Sequence, residues 1–276
     1  MSLRQRDLDA IIALVAEVAA AEIMPRFRHL LPEDIRVKSS ALDLVTDADT
    51  GAEIAISAGL RRLFPGCALV GEEAAAADPS VMAVLADADL AFTIDPVDGT
   101  ANFAAGVPLF ATMIGAVSKG EVIAAIIYDP VTGESLGALR GQGAWSRAAD
   151  GRQASLRVAP TRPVAQMTGA AGWRYFAPER RAHVLAGFPA LAQVWDFRCA
   201  AHAYRMVAMG GCDFVLFNRL LPWDHAPGWL LHREAGGYSA RLDGSAYHPT
   251  MTGGGLICAP DRQGWEALHA VLIGES

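Results

Sequence analysis

The stretch Phe92-Thr93-Ile94-Asp95-Pro96-Val97-Asp98-Gly99-Thr100-Ala101-Asn102-Phe103 constrains this chain more than any other. Leu90 to Ile94 reads as a buried strand, and the strand is expected to end in an acid, Asp95. Pro96 has a fixed φ and holds Asp95 in extended backbone, which sets a turn. Asp95 and Asp98 then converge on one point, with the Val97 carbonyl between them. Three hard oxygens from four consecutive residues suit Mg²⁺. Gly99 lets the backbone approach a ligand closely. Where a short helix begins here, the amides of Gly99 and Thr100 would hold a phosphate. In isolation the same residues also make a β-turn with solvated aspartates.

The rest of the chain alternates helix and strand. Leu8, Ile11, Ile12, Val15, Val18, Ala19 and Ile23 recur at helical spacing and predict a helix over 7–24, stopped by Pro25. Residues 28–45 read as irregular. Thr46 or Asp47 would cap a second helix running to about Phe64, ended by Pro65-Gly66. A strand at 67–70 delivers Gly71-Glu72-Glu73, and a short helix is expected at 80–87. Strands follow at 90–94, 109–117 and 122–128, the last two joined by a Lys119-Gly120 hairpin, with more β character at 134–139 and 143–146. Residues 151–165, punctuated by Gly and Pro, mark a subdomain boundary. Beyond them the pattern predicts strands at 167–171 and 213–217, helices at 178–187, 199–210 and 225–235, then a strand pair and a helix at 261–273. The class is mixed α and β in two halves.

Composition narrows the function. With 23 Lys+Arg against 30 Asp+Glu, the formal charge is -7, which disfavours a general nucleic-acid binder. A chain 52% hydrophobic and 19% charged is not disordered. Ile11 to Ile23, the most apolar stretch, is broken by Glu17 and Glu22, so no membrane span is expected. Cys67, Cys199, Cys212 and Cys258 form no CxxC pair and read as reduced core thiols of a cytoplasmic protein. No secretory signal is expected at the N-terminus.

Other acids stand where elements meet. Glu72 and Glu73 follow a short apolar strand, where surface charge is the simpler use. Asp47 and Asp49 sit at a loop-to-helix junction, and Asp224 at another, where capping a helix is the common role. Lys38 is a lone lysine that solvation alone would explain.

Taken in order, Lys38, Leu44-Val45-Thr46, Gly71-Glu72-Glu73, Asp95 to Phe103, Trp223-Asp224 and Glu234-Ala235-Gly236-Gly237 make the chain resemble the inositol monophosphatase family of Mg²⁺-dependent, Li⁺-sensitive phosphatases. The resemblance spans nearly the whole chain. It implies one unit over 1–276 with a layered α-β-α-β-α sandwich. Its subdomains would be about 1–150, carrying metals and phosphate, and 151–276, carrying the substrate side. It implies a homodimer acting on a small-molecule phosphate ester. Glu72, Asp95 and the Val97 carbonyl would hold a first metal ion, and Asp95, Asp98 and Asp224 a second. Glu72, with water near Asp49, would hold a weaker third. Mn²⁺ could substitute for Mg²⁺. Thr100 and Glu72 would orient the attacking water, and the Gly99 and Thr100 amides would hold phosphate.

The substrate side departs from the family. The usual Gly-Ser/Thr-Ala-Ala segment reads Arg198-Cys199-Ala200-Ala201, a thiol in place of the hydroxyl and an arginine in place of glycine. Inositol-specific members carry a glutamate seven residues before the second-motif aspartate, and here that residue is Phe217. An apolar ring leaves inositol hydroxyls unpaired, which is costly. Arg198 would add a positive charge for a second anionic group if it points inward, or would be a surface residue. Cys199 reads as a small buried residue at a helix start. His225 would touch substrate or pack on the helix face, and Pro227 replaces a small residue. Histidinol-phosphate, fructose-1,6-bisphosphate and 3′(2′)-phosphoadenosine phosphatases remain alternatives. So does a regulatory protein-binding role known among bacterial relatives, although every metal acid is retained.

Overall fold

The computed structural model describes residues 3–37 and 44–274. Helix α1 (Gln5–Val18) buries Leu8, Ile11, Val15 and Val18, and runs on as a π-helical turn, Ala19–Ile23, just before Pro25. The stretch expected to be irregular holds strand β1 (Ile35–Val37), paired antiparallel with β2 (Leu44–Thr46). Strands of three residues offer too few alternations to stand out as periodicity. Lys38 lies outside the described residues.

Helix α2 (Asp47–Leu63) follows directly. Thr46 caps it: its hydroxyl accepts from the Ala48 amide at 3.2 Å, and Asp49 Oδ2 accepts from the Thr46 amide at 2.8 Å. Strand β3 (Ala68–Gly71) leads into α3 (Glu72–Ala77), which was not expected. The helix expected at 80–87 is a 3-10 stretch, Pro79–Leu85.

Strand β4 (Ala91–Asp98) is buried along its full length, parallel to β3 and antiparallel to β5 (Ala111–Ser118). It does not end at Asp95, as the sequence reading had it. The strand carries through Pro96 by a shift of register between Asp95 and Asp98, which takes up the residue that cannot donate. Helix α4 (Thr100–Ala104) follows. Strands β6 (Glu121–Tyr128), β7 (Ser135–Leu139), β8 (Ala144–Arg147) and β9 (Gln153–Ser155) complete a seven-stranded sheet ordered β3-β4-β5-β6-β7-β8-β9.

The second sheet takes its strands from the rest of the chain. Along it come β10 (Thr168–Ala171), α5 (Pro178–Gly187), β11 (Gln193–Trp195), α6 (Ala200–Ala208), β12 (Phe214–Phe217), α7 (Pro222–Glu234), β13 (Tyr238–Arg241), β14 (Leu256–Ala259) and α8 (Arg262–Leu272). The order is β11-β10-β12-β14-β13, with β11, β10 and β12 parallel. Helix α7 starts three residues before the expected 225, with Pro222 in its first turn, where a missing N–H costs nothing.

The layers are α1 and α2, the seven-stranded sheet, α6 and α7, the five-stranded sheet, then α5 and α8. This is the α-β-α-β-α sandwich. Helix α7 lies between the sheets and is buried on nearly every side, as a two-faced neighbour demands. Its close fit uses glycines: a Cβ on Gly115 of β5 would come within 3.2 Å of Pro227, and one on Gly228 would enter the Tyr204 ring. Pro227, unusual at its position, therefore seats on the bare backbone of β5.

Candidate active site

A cleft of about 200 Å³ opens between the two sheets, lined by Glu72, Asp95, Val97, Asp98, Gly99, Thr100 and Asp224 on one side and by Cys199, Ala200 and Phe217 on the other. The substrate residues expected from sequence thus face the same space as the acids. Asp49 lies behind Thr100, fully buried.

Each acid is placed by a local device. The β3–α3 junction sets Glu72 at the first position of α3. Glu53 of α2, a buried acid the sequence reading missed, accepts from the Glu73 and Ala74 amides at 2.8 and 2.9 Å and holds that junction. A Cβ on Gly71 would collide with its carboxylate. Its signal in the sequence was a charge on the inward face of α2, beside Ala52 and Ile56. The register shift in β4 brings Asp95 and Asp98 to the same end of the strand, and Asp95 Oδ1 accepts from the Val97 amide at 3.0 Å. Gly99 adopts φ +90, and a Cβ there would lie 2.7 Å from the Leu109 carbonyl, so only glycine fits. Asp224 enters from the first turn of α7.

Burial is the largest cause of a raised pKa at Asp95 and Asp224, followed at both by the negative charge of Glu72. The two carboxyls also hydrogen-bond each other. Arg219 pulls Asp224 the other way. Burial raises Asp98 as well, opposed first by the Cys199 thiol and then by the Ala201 and Ala200 amides. Both Asp98 oxygens are engaged: the thiol donates to Oδ2 at 2.9 Å, the Ala201 amide to Oδ2 at 2.5 Å and the Ala200 amide to Oδ1 at 3.1 Å. Cys199 is buried at the N-cap of α6, and its own pKa is pushed far up by burial and by Asp98. It is a hydrogen-bond donor here and no thiolate.

Among the described residues, no three acidic, histidine or cysteine side chains already sit at metal-ligand spacing around one point. The donor set nonetheless fits a hard cation. Buried carboxylates that raise one another's pKa need protons or cations between them, and each offers oxygen only.

Thr100 Oγ1 lies 3.0 Å from both Asp49 Oδ1 and the Val97 carbonyl. Asp49 Oδ2 is taken by the Thr46 amide and, at 2.6 Å, the Thr46 hydroxyl. Burial, with the Glu72 charge adding to it, raises the Asp49 pKa to about 6.

The far wall is aromatic. Phe217 stacks on Tyr204 at 4.8 Å and meets His225 edge-on at 4.7 Å. His225 is buried, with Nδ1 3.0 Å from the Tyr204 hydroxyl, and burial depresses its pKa to about 3. It lines the cleft as a neutral ring. Arg198 is exposed and borders the cleft, joined by Arg174 and Arg219, which the sequence reading did not single out.

Residues 4–276 match the model of the inositol monophosphatase family. The chain belongs to the inositol monophosphatase family. It is 35% identical over 240 residues to the Nus factor SuhB of Pseudomonas aeruginosa, covering 85% of each chain. It is 32% identical over 234 residues to the Nus factor SuhB of Haemophilus influenzae, covering 83% of this chain and 82% of that one. Among solved structures it resembles an IMPase of Thermotoga maritima, with TM-score 0.81, 24% identity and 97% of both chains covered. It also resembles the extragenic suppressor protein SuhB of Bartonella henselae, with TM-score 0.80, 25% identity, and 98% and 100% covered. The sandwich is therefore the fold of this family.

Proposed function

We propose that this family member is a Mg²⁺-dependent phosphomonoesterase acting on a small phosphorylated metabolite. The observation that carries the reading is the cleft where Glu72, Asp95, Asp98 and Asp224 meet the Thr100–Asp49 pair. Glu72, Asp95 and the Val97 carbonyl would hold one Mg²⁺, Asp95, Asp98 and Asp224 another, and Glu72, with water near Asp49, a weaker third. Bound Mg²⁺, for which Mn²⁺ would serve, offsets the charge of a phosphate dianion, lowers the pKa of water and stabilises the leaving oxygen. Ionised Asp49 accepts a hydrogen bond from the Thr100 hydroxyl, so Thr100 Oγ1 is left to accept a hydrogen bond from the attacking water, orienting the lone pair of that water towards phosphorus. Gly99 and Thr100 amides hold the phosphate. Phe217 replaces an acid that would have accepted from sugar hydroxyls, so inositol 1-phosphate is a poor substrate and another ester is preferred.

The test is a panel of phosphate esters, including inositol 1-phosphate, histidinol phosphate, fructose 1,6-bisphosphate and 3′-phosphoadenosine 5′-phosphate, assayed with Mg²⁺, with Mn²⁺ and with EDTA. Release of phosphate that survives in EDTA would overturn the mechanism. A Li⁺ titration beyond the Mg²⁺ concentration is expected to inhibit, by occupying a Mg²⁺ position.

A second reading, regulation through a protein partner, is supported by the curated relatives that bear the name Nus factor SuhB. A pull-down with Asp95→Asn separates the two: a partner held equally well by a dead site favours regulation. We also propose a cytoplasmic homodimer, on the family resemblance and on four free cysteines. Among the described residues no helix is long and apolar enough to cross a membrane.

A further inference from the structure

The five-stranded sheet places β11, β10 and β12 side by side and parallel. Their carboxyl ends therefore lie on one edge, where open α/β sheets bind ligands. Each of these three strands is followed, within three residues, by an arginine: Arg198 after β11, Arg174 after β10 and Arg219 after β12. All three line the cleft that holds the carboxylates.

The three side chains are differently anchored. Arg174 pairs with Asp196 at 3.1 Å. Arg219 lies over the Tyr175 ring at 4.9 Å. Arg198 takes the left-handed φ of 55, uncommon for any residue but glycine, and its amide donates to Asp196 Oδ1 at 2.8 Å. One carboxylate, Asp196, thus serves Arg174 by charge and Arg198 through the backbone. Among the described residues neither Arg198 nor Arg219 has a carboxylate partner within 4.0 Å. Both guanidinium groups border the cleft outside any ion pair of that length, although the charge of Arg219 also reaches Asp224.

A forked guanidinium is matched to carboxylate or phosphate and not to neutral hydroxyls. We propose that Arg198, Arg174 and Arg219 form an anion subsite, and that the preferred substrate is a phosphomonoester whose alcohol part carries a second anionic group. This rests on the phosphomonoesterase reading and names the class of ester within it. Phe217 beside the arginines favours an apolar face on the part between the two anions.

The experiment uses two matched pairs with the purified full chain and Mg²⁺. One pair, 3-phosphoglycerate and glycerol 1-phosphate, differs by a carboxylate. The other, fructose 1,6-bisphosphate and fructose 6-phosphate, differs by a phosphate. In at least one pair the doubly anionic member is expected to have a kcat/KM tenfold or more above its partner. In Arg198→Gln and Arg219→Gln that ratio falls at least tenfold, chiefly through KM, and it also falls with added KCl. Which pair responds tells carboxylate from phosphate. Ratios near one in both pairs, or variants that lower both members equally, overturn the proposal, the second outcome assigning the arginines to the frame of the fold. Calorimetric binding of the same four compounds, with Ca²⁺ in place of Mg²⁺, reads the subsite without turnover. Binding that discriminates by the second anion and weakens in the variants, in a protein that hydrolyses nothing, upholds the subsite and overturns the esterase. Hydrolysis without discrimination does the reverse.

Discussion

The two walls of the cleft are made in different ways. The acidic wall comes from the buried end of β4, the start of α3 and the start of α7, and its side chains are pinned by amides, by a thiol and by one another. The opposite wall comes from the ends of β10, β11 and β12 and the start of α6, and its arginines are half-buried or exposed, Arg219 lying over the Tyr175 ring. Asp95 and Asp98 in the first wall are buried, so their interactions are strong and any error there is expensive. Charges in the second are wet and weak, and can be exchanged at small cost to the fold. Under the proposed function, the chemistry would sit where change is costly and the selectivity where it is cheap.

The largest break of this contrast is Asp95→Asn. It removes charge from the acidic wall alone, so kcat should drop about a thousandfold for every ester alike. Parallel loss of Mg²⁺ affinity by calorimetry, with an unchanged circular dichroism spectrum, is the check. A loss confined to some esters would place Asp95 in recognition.

Thr100→Ala should cost about a hundredfold in kcat with little change in KM, and Thr100→Ser should restore most of it, since Ser keeps the hydroxyl between Asp49 and the Val97 carbonyl. Failure of serine to rescue would make the threonine methyl, not its hydroxyl, the important part.

Phe217→Glu sharpens the comparison from the other side. It should raise kcat/KM for inositol 1-phosphate relative to the rest of the panel about tenfold. Loss of the contacts with Tyr204 and His225 should destabilise the protein by about 2 kcal/mol. A unmodified enzyme that already prefers inositol 1-phosphate would refute the reading of this wall.

The smallest effect is on stability. Asp49, Asp95 and Asp224 have raised pKa values, so the metal-free folded protein keeps protons that the unfolded chain releases near pH 4. Their contribution is therefore lost as pH rises, for Asp49 through about pH 6, at up to about 1.4 kcal/mol per pH unit. His225 and His232, depressed to about 3 and about 4 by burial, act oppositely and lose stability as pH falls below about 6.5. The difference between thermal melts with and without Mg²⁺ cancels the histidines. That difference should grow from pH 5 to pH 8. A constant difference would mean that Mg²⁺ does not bind at the carboxylates.

What could be read from the sequence follows the same division. Asp95, Val97, Asp98, Gly99 and Thr100 are neighbours in the chain, so a strand and a proline suffice to predict that they converge. The continuation of β4 past Pro96 was missed, because nothing local announces a shift of register. Cys199 at a buried helix start was legible; its bond to Asp98 was not, because the partner lies in the other sheet. Arg174 and Arg219 border one cleft because β10 and β12 are neighbours, and strand order leaves no mark on either segment. Glu53 was hidden by its helix, where a lone acid is usually solvated.

Asp98 has a consequence for how such proteins diversify. It belongs to the seven-stranded sheet, yet among the described residues the hydrogen bonds to its carboxylate come from Cys199, Ala200 and Ala201 beside the five-stranded one. That clasp ties the second half to the first, as do the bond of Asp224 to Asp95 and the seat of Pro227 on β5. The loop after β10 lies outside it and is expected to tolerate exchange between relatives, whereas the loop after β12 runs into α7 and its Asp224. The loop after β11 runs straight into the clasp, and a graft there must stop at Arg198.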